Sequence, residues 1–326
     1  MSTKHFNRRN FLKVSGGTLG AAAAGFSLYT PSASAAKARV VVVGGGMGGA
    51  TAARYIKKGD PSIDVTLVEA NPTYHSCFMS NFVVVGERKL DYLAHGYDGL
   101  KAEGINVVYD RVIGIDDNAV KTAGGKSLPF DRCVVSPGVG FKFIEGHSEE
   151  VANTTITHAW KAGKQTQIFH DQLAAMKDGG TVIIGAPRNP FRCPPGPYER
   201  TSLVAGYLKK HKPKSKVIVL DPKDKFSKFG LFTEGWRNHY GYGTDDSLIT
   251  WVKGAEGGAL EAVDADTMTV SAEIEEFTAD VINIIPDQKA GAIAFTAGLV
   301  DDSGWCPVNL HTFESTLRKN IHVIGD

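Results

Sequence analysis

Residues 38–49 read A-R-V-V-V-V-G-G-G-M-G-G, and twenty residues after the last glycine Glu69 closes V-T-L-V-E. No other stretch constrains the fold as tightly. An apolar run, Val40 to Val43, feeds the turn Gly44-x-Gly46-x-x-Gly49, and the small-residue segment A-T-A-A-R-Y-I-K follows. Gly44 permits a tight turn, Gly46 lets the backbone approach a pyrophosphate, and Gly49 lets a helix sit close to its strand. The N-terminus of that helix offers free N–H groups and a positive dipole end to phosphate. Glu69, at the end of the second strand, is suited to accept hydrogen bonds from ribose hydroxyls. Strand, glycine turn, helix and acid in this order predict a dinucleotide-binding βαβ unit. The bland alternative is a glycine-rich turn that binds nothing.

The chain has 326 residues, which favours two domains over one. Its 42% hydrophobic and 22% charged residues are those of an ordinary globular protein. Removing Lys4, Arg8, Arg9 and Lys13 from the first 35 residues, which hold no acid, takes the formal net charge from +1 to −3. No basic surplus points to nucleic acid. That leader has paired arginines in N-R-R-N-F-L-K, a glycine- and alanine-rich stretch, and Ala33-Ser34-Ala35. It reads as a twin-arginine export signal with an A-x-A cleavage site, so the expected location is the periplasm. The apolar stretch is too short for a convincing membrane span, and no stable membrane insertion is expected. An oxidising compartment also permits disulfides.

After the leader, strand 40–43, helix 48–58 and strand 64–69 make the βαβ unit. Residues 105–116 alternate as strands do, and 121–128 reads as a hairpin. A buried strand then ends in Ser136-Pro137-Gly138. A second unit begins with G-G-T-V-I-I-G at 179–185, followed by helix 197–210 and strand 216–221; residues 247–285 read as short strands. The turn after its first strand carries Pro187, Pro190, Pro194 and Pro195. Proline has no N–H for a phosphate, so the second unit is expected to have lost a nicotinamide site although Asp221 ends its second strand. No metal site is expected.

Four cysteines are present, at 77, 133, 193 and 306. Cys193 lies in the proline-stiffened loop beside Arg192, with Arg188, Glu199 and Arg200 near in sequence, and positive neighbours are expected to lower its pKa. Glu199 is either a proton relay or a helix-start carboxylate favoured by the dipole. Cys77 follows Tyr74 and His75 in the loop after the acid-ending strand. Cys133 reads as a core residue, and Cys306 either pairs with Cys193 or stays free.

These residues together resemble the flavoprotein subunits of flavocytochrome c sulfide dehydrogenases, over essentially all of the chain after the leader. The specific pieces are Y-H-S-C-F-M-S-N at 74–81, R-N-P-F-R-C-P-P-G-P-Y-E-R at 188–200, G-L-F-T-E-G-W at 230–236 and S-G-W-C-P-V at 303–308. Sulfide:quinone oxidoreductases share the architecture. The resemblance implies an α/β fold of two Rossmann-like domains in the glutathione-reductase-like, two-dinucleotide arrangement. An FAD-binding domain would take 36–150, a second domain with a degenerate nicotinamide site 151–286, and a return to the first domain 287–326. It also implies a missing C-terminal domain, because the sequence stops at the Gly325-Asp326 motif.

The cofactor implied is FAD, covalently linked through Cys77 and contacted by Gly44, Gly46, Gly49, Glu69, Val112, Pro137, Gly138, Gly325 and Asp326. Cys193 would be one half of a redox-active disulfide with Glu199 beside it. The partner implied is a c-type cytochrome subunit. With no C-x-x-C-H, no haem is expected on this chain. The reaction implied is oxidation of sulfide to sulfur or polysulfide. A nicotinamide-dependent flavin reductase, a sulfide:quinone oxidoreductase and an inactive fragment are the alternatives.

Overall fold

The structure is a computed structural model and describes residues 37–326; the export-signal reading falls outside the described residues. Strand β1 (Arg39–Val43) runs through the glycine turn into helix α1 (Met47–Gly59), and β2 (Asp64–Glu69) follows. Gly49 and Ala53 are the buried residues of α1, so its close face is built of the smallest side chains. Lys57 and Lys58 occupy its last turn, where the helix dipole favours positive charge. A short helix, α2 (Ser80–Val84), precedes β3 (Asn106–Tyr109), β4 (Arg132–Val135) and β5 (Val139–Lys142). Then come α3 (Lys164–Ala175), β6 (Thr181–Gly185), α4 (Gly196–His211), β7 (Lys216–Leu220) and α5 (Phe229–Tyr240). Strands β8 (Ile249–Val252), β9 (Val281–Ile284), β10 (Asp287–Ala290) and β11 (Ile321–Val323) complete the main elements.

Two parallel sheets result. The first has the order β11-β4-β1-β2-β3 and the second β8-β7-β6-β9. Both faces of such sheets are covered, which is why Val40–Val43 and Val182–Ile184 are buried runs rather than alternating ones. In each sheet the chain leaves the middle strand in one direction and returns on its other side. The crevice at such a reversal, outside the carboxyl ends of the strands, is where open α/β sheets bind ligands. Strand β5 pairs antiparallel with β10, so the outgoing and returning segments between the halves run side by side.

The segment 105–116, continuous in sequence, divides between two sheets. Residues 106–109 join the parallel sheet, while 112–115 joins an antiparallel sheet with 119–122 and 127–129. Asp110 makes the break, its carboxylate accepting from the N–H groups of Arg111 and Gly124. Residues 247–285 divide likewise: β8 and β9 are parallel members of the second sheet, and 260–264, 269–272 and 276–278 form a separate antiparallel one.

Candidate functional site

The first crevice lies between the carboxyl ends of β1 and β4. Gly44 has φ +95°, and a Cβ there would meet the Ser136 oxygen at 2.2 Å; a Cβ on Gly49 would lie 1.8 Å from the Gly44 oxygen. These two glycines close the turn onto the Ser136-Pro137-Gly138 segment and the helix onto the turn. Gly46 is different, because the atom nearest to its would-be Cβ is Tyr74 Cε2 at 3.7 Å. Its surroundings are open enough for a ligand to reach the backbone. No side chain caps the start of α1, so its first-turn N–H groups serve the crevice. Gly325 (φ +85°) approaches Gly48 from β11, and Ser136 stands between them. Glu69 accepts from Gly45 N at 2.6 Å through one oxygen and from Asn71 N at 2.9 Å through the other. The turn thus fits a pyrophosphate with a carboxylate at its edge, the requirement of a bound dinucleotide such as FAD. Val112 lies three residues past Tyr109, the register partner of Glu69, and packs against the core of the first sheet, which includes Val41, Val43, Cys133 and Val135 and is the first core of the molecule.

Alanine at position 49 tests this cradle. Overpacking of this kind costs about 1–3 kcal/mol, and we expect Gly49→Ala to lower the flavin absorbance per protein as well as Tm. Gly99→Ala is the control, since nothing lies within 4 Å of a Cβ there. Equal flavin content in the Gly49 variant and the parent would show that the turn holds no pyrophosphate.

Two cysteine loops face this crevice. Cys77 is half-buried beside Tyr74, and its carbonyl accepts from Ser80 N to open α2. Cys193 is exposed and left-handed, with φ +57°. Gly196 makes this loop possible: its N–H donates to the Cys193 carbonyl, and a Cβ there would lie 2.5 Å from the Trp160 ring and 3.2 Å from Cys193 Sγ. Arg192 reaches back across the crevice to Asp326, Nε to Oδ2 at 3.7 Å, and donates to the Trp160 carbonyl. The Cys193 loop of the second half therefore overlies the Gly325-Asp326 end of the first.

The expected depression of the Cys193 pKa is reversed. Although the residue is exposed, partial desolvation of the sulfur by surrounding protein atoms pushes it up first, and the Glu199 carboxylate pushes it further; Arg192 and the Gly196 N–H oppose them and lose. The other arginines are engaged elsewhere. Arg188 bonds Asp287, and Arg200 is sealed in the interior. Nor do Cys193 and Cys306 pair: all four cysteines are free, and Cys306 packs beside Trp305 against the first core. Cys133 is fully buried, its thiol pushed up to about 12.

Glu199 lies in the first turn of α4, and its Oε1 accepts from Asn81 Nδ2 at 2.9 Å. Asn81 Oδ1 in turn accepts from Arg200 Nε at 3.0 Å. Sequence reasoning missed Asn81 and took Arg200 only for a charge near Cys193, although each ends one of the segments singled out above. Their signal was weak, because a polar residue in a short loop motif does not announce burial.

At the second crevice, between β6 and β9, the strand-end acid is taken up by the domain itself. Asp221 is wholly buried and accepts from the Tyr198 hydroxyl at 2.6 Å, Trp251 Nε1 at 3.2 Å and Lys223 Nζ at 2.7 Å. Lys223 Nζ also donates to the Pro187 carbonyl at 2.6 Å. Tyr198 stacks on Phe226 with centroids 3.5 Å apart. The acid that would meet a ribose is thus occupied by its own domain.

The model of the pyridine nucleotide-disulphide oxidoreductase family matches residues 38–186. That of the sulfide dehydrogenase [flavocytochrome c] flavoprotein chain, central, matches 166–286. The flavoprotein chain of sulfide dehydrogenase [flavocytochrome c] of Chlorobaculum thiosulfatiphilum is 60% identical over 45 residues, 94% of that sequence and 14% of this one. Over residues 38–186 the chain belongs to the pyridine nucleotide-disulphide oxidoreductase family. Among its wider relatives is the mitochondrial sulfide:quinone oxidoreductase of Mus musculus, 22% identical over 88% of this chain; the match spans 65% of the mouse protein. The sulfide:quinone oxidoreductase structure from Aquifex aeolicus superposes with a TM-score of 0.71 at 22% identity, over 88% of this chain and 68% of that one. For a pyridine nucleotide-disulphide oxidoreductase, the unusual feature is the second crevice, with prolines and a buried Tyr198–Asp221 pair where an open turn and a free acid would receive a nucleotide.

Proposed function

We propose that this protein is the flavoprotein of a flavocytochrome c-type sulfide dehydrogenase: it oxidises sulfide to sulfur or polysulfide at Cys193 and passes the electrons to a c-type cytochrome on another polypeptide. The observation that carries this reading is that the flavocytochrome model covers 166–286, the segment bearing Cys193 and Glu199. Gly44, Gly46, Gly49, Glu69, Val112, Pro137, Gly138, Gly325 and Asp326 would hold FAD, with Cys77 as the covalent attachment. A bound flavin supplies acceptance of an electron pair and its return one electron at a time. Export to the periplasm completes the proposal.

The chain's own residues act on sulfur. With Cys193 oxidised in a disulfide to a second thiol, hydrosulfide attacks one sulfur. The S–S bond breaks, one sulfur leaves as thiolate and the other keeps the incoming atom as a persulfide. Arg192 draws the anion toward the loop, and Glu199 takes the hydrosulfide proton. The proline-bearing turn and the engaged Asp221 of the second crevice support direct reduction by sulfide rather than by a nicotinamide.

Anaerobic titration tests this. Sulfide is expected to bleach the long-wavelength flavin band at near-stoichiometric amounts, and NADH to leave it unchanged. Bleaching by NADH alone would make the protein a nicotinamide-dependent reductase. The match to sulfide:quinone oxidoreductases over most of the chain supports a second reading, with quinone as acceptor. Among the described residues no helix is long and apolar enough to cross a membrane. Re-oxidation by a soluble quinone but not by cytochrome c would favour that second reading.

A further inference from the structure

The contact between α2 and α4 assigns a task to a residue outside the cysteine chemistry. Asn81 is 8% exposed and Arg200 2% exposed, and they come from opposite halves of the molecule. A guanidinium only donates, so Asn81 must turn its oxygen to Arg200. Its NH2 group is then the one that faces Glu199, at 2.9 Å. Arg200 is itself immobile, its Nη1 bonded to the His158 carbonyl and Asn283 Oδ1 and its Nη2 to the Ala159 carbonyl. The amide orientation is therefore fixed by chemistry on one side and delivered to a carboxylate on the other. Asn81 is four residues beyond Cys77, which lies in the loop that leads into α2.

We infer that Asn81 is a positioning residue for the sulfur chemistry: locked by Arg200, its amide holds the Glu199 carboxylate toward the Cys193 loop. This rests on the proposed role of Cys193. The charged and titratable groups that meet there are Cys77, Arg192, Cys193, Glu199 and Arg200, with Asp326 behind Arg192. Glu199 already bears on Cys193, raising its pKa. Glu199 is half-buried among buried neighbours in the first turn of α4, and freed from Asn81 its side chain has other rotamers.

The test reads the pH midpoint of Cys193 alkylation in the reduced full chain, each cysteine being quantified from its own peptide by mass spectrometry. Glu199→Gln is expected to lower the midpoint by about 0.5 or more, the effect of removing a close like charge. In an Asn81→Ala background the same change should shift it by less than half as much. Asn81→Asp keeps the acceptor for Arg200 but loses the donor to Glu199, so it gives the same expectation should Asn81→Ala fail to fold. An equal Glu199→Gln shift in all three backgrounds, or none in the parent, would overturn the inference. A purely structural asparagine would change Tm and leave this coupling intact. No sulfide is involved, so failure of sulfide to bleach the flavin, with the coupling present, would sink the proposed function and leave the positioning standing.

Discussion

Replacing Cys193 with serine is expected to slow flavin reduction by sulfide at least about a thousand-fold, the scale seen when a nucleophile is removed. Flavin content and reduction by dithionite should not change. The four sulfurs differ in how far a small anion can reach them. Cys133 is sealed in the first core and Cys306 packs at its margin. Cys77 is half-buried beside Tyr74, and Cys193 is the exposed one. Serine keeps the size and hydrogen bonding of the loop but forms no persulfide. The reduced thiol gives a pH signature of its own. Its folded pKa is raised, by burial and by Glu199, so the thiolate is lost as pH falls and grows as pH rises beyond the ordinary thiol range. Alkylation of Cys193 should therefore be slow at neutral pH and climb steeply above it. A serine variant reduced by sulfide at the parent rate would remove Cys193 from the reaction.

Much of the architecture was legible because it depends on local physics. The turn 44–49 needs glycine at three positions for three separate steric reasons, and the apolar runs before both turns are those of strands covered on each face. The ends 39–43, 47–59 and 64–69 lie within a residue or so of the expected ones. What escaped notice was set by packing across the chain. Helix α5 carries two glycines and several aromatics, all poor helix formers. It forms because Thr233 and Trp236 are buried, Trp236 against the ring of Phe226 and the rest of the second core, and because Gly241, at φ +67°, closes its end. Helix α3 hides for a related reason: its buried face includes Gln165 and Thr166 beside Phe169 and Leu173, so it lacks a clean apolar stripe.

The candidate site divides in the same way. Glycines, prolines and cysteines are visible as residue types, but the sign of the Cys193 shift depends on whether burial and Glu199 outweigh Arg192. Sequence neighbours suggested the opposite because Arg188 and Arg200 count as nearby charges until their partners are seen. Asp221 is the converse case. Its position at a strand end is that of a ribose ligand, and only Tyr198, Trp251 and Lys223 show that it has become an internal hub.

Arg200→Met should destabilise the fold by about 3–5 kcal/mol, the cost of breaking a buried polar network from one side. At about 2–4 °C per kcal/mol, Tm should fall by on the order of 10 °C. Two effects compete. Burial disfavours the guanidinium charge, pulling its pKa down to about 9, and methionine relieves that cost. Against this, Arg200 serves four acceptors: Asn81 Oδ1, Asn283 Oδ1 and the carbonyls of His158 and Ala159. Each acceptor left buried and unpaired costs about 1–3 kcal/mol. When a buried ion pair is replaced by apolar side chains, both partners disappear and the exchange is often neutral. Here the acceptors stay, two of them belonging to the backbone, so the loss outweighs the relief. Arginine also lies over the Trp160 and Phe169 rings, with its Cζ 5.1 and 5.9 Å from their centroids, and methionine recovers only part of that contact. Lysine offers no planar fork and should fall between the two. Thermal unfolding of the three proteins decides the matter: a Met variant as stable as the parent would mean that charge desolvation, not the hydrogen-bonded fork, dominates at the junction of α2, α4 and β9.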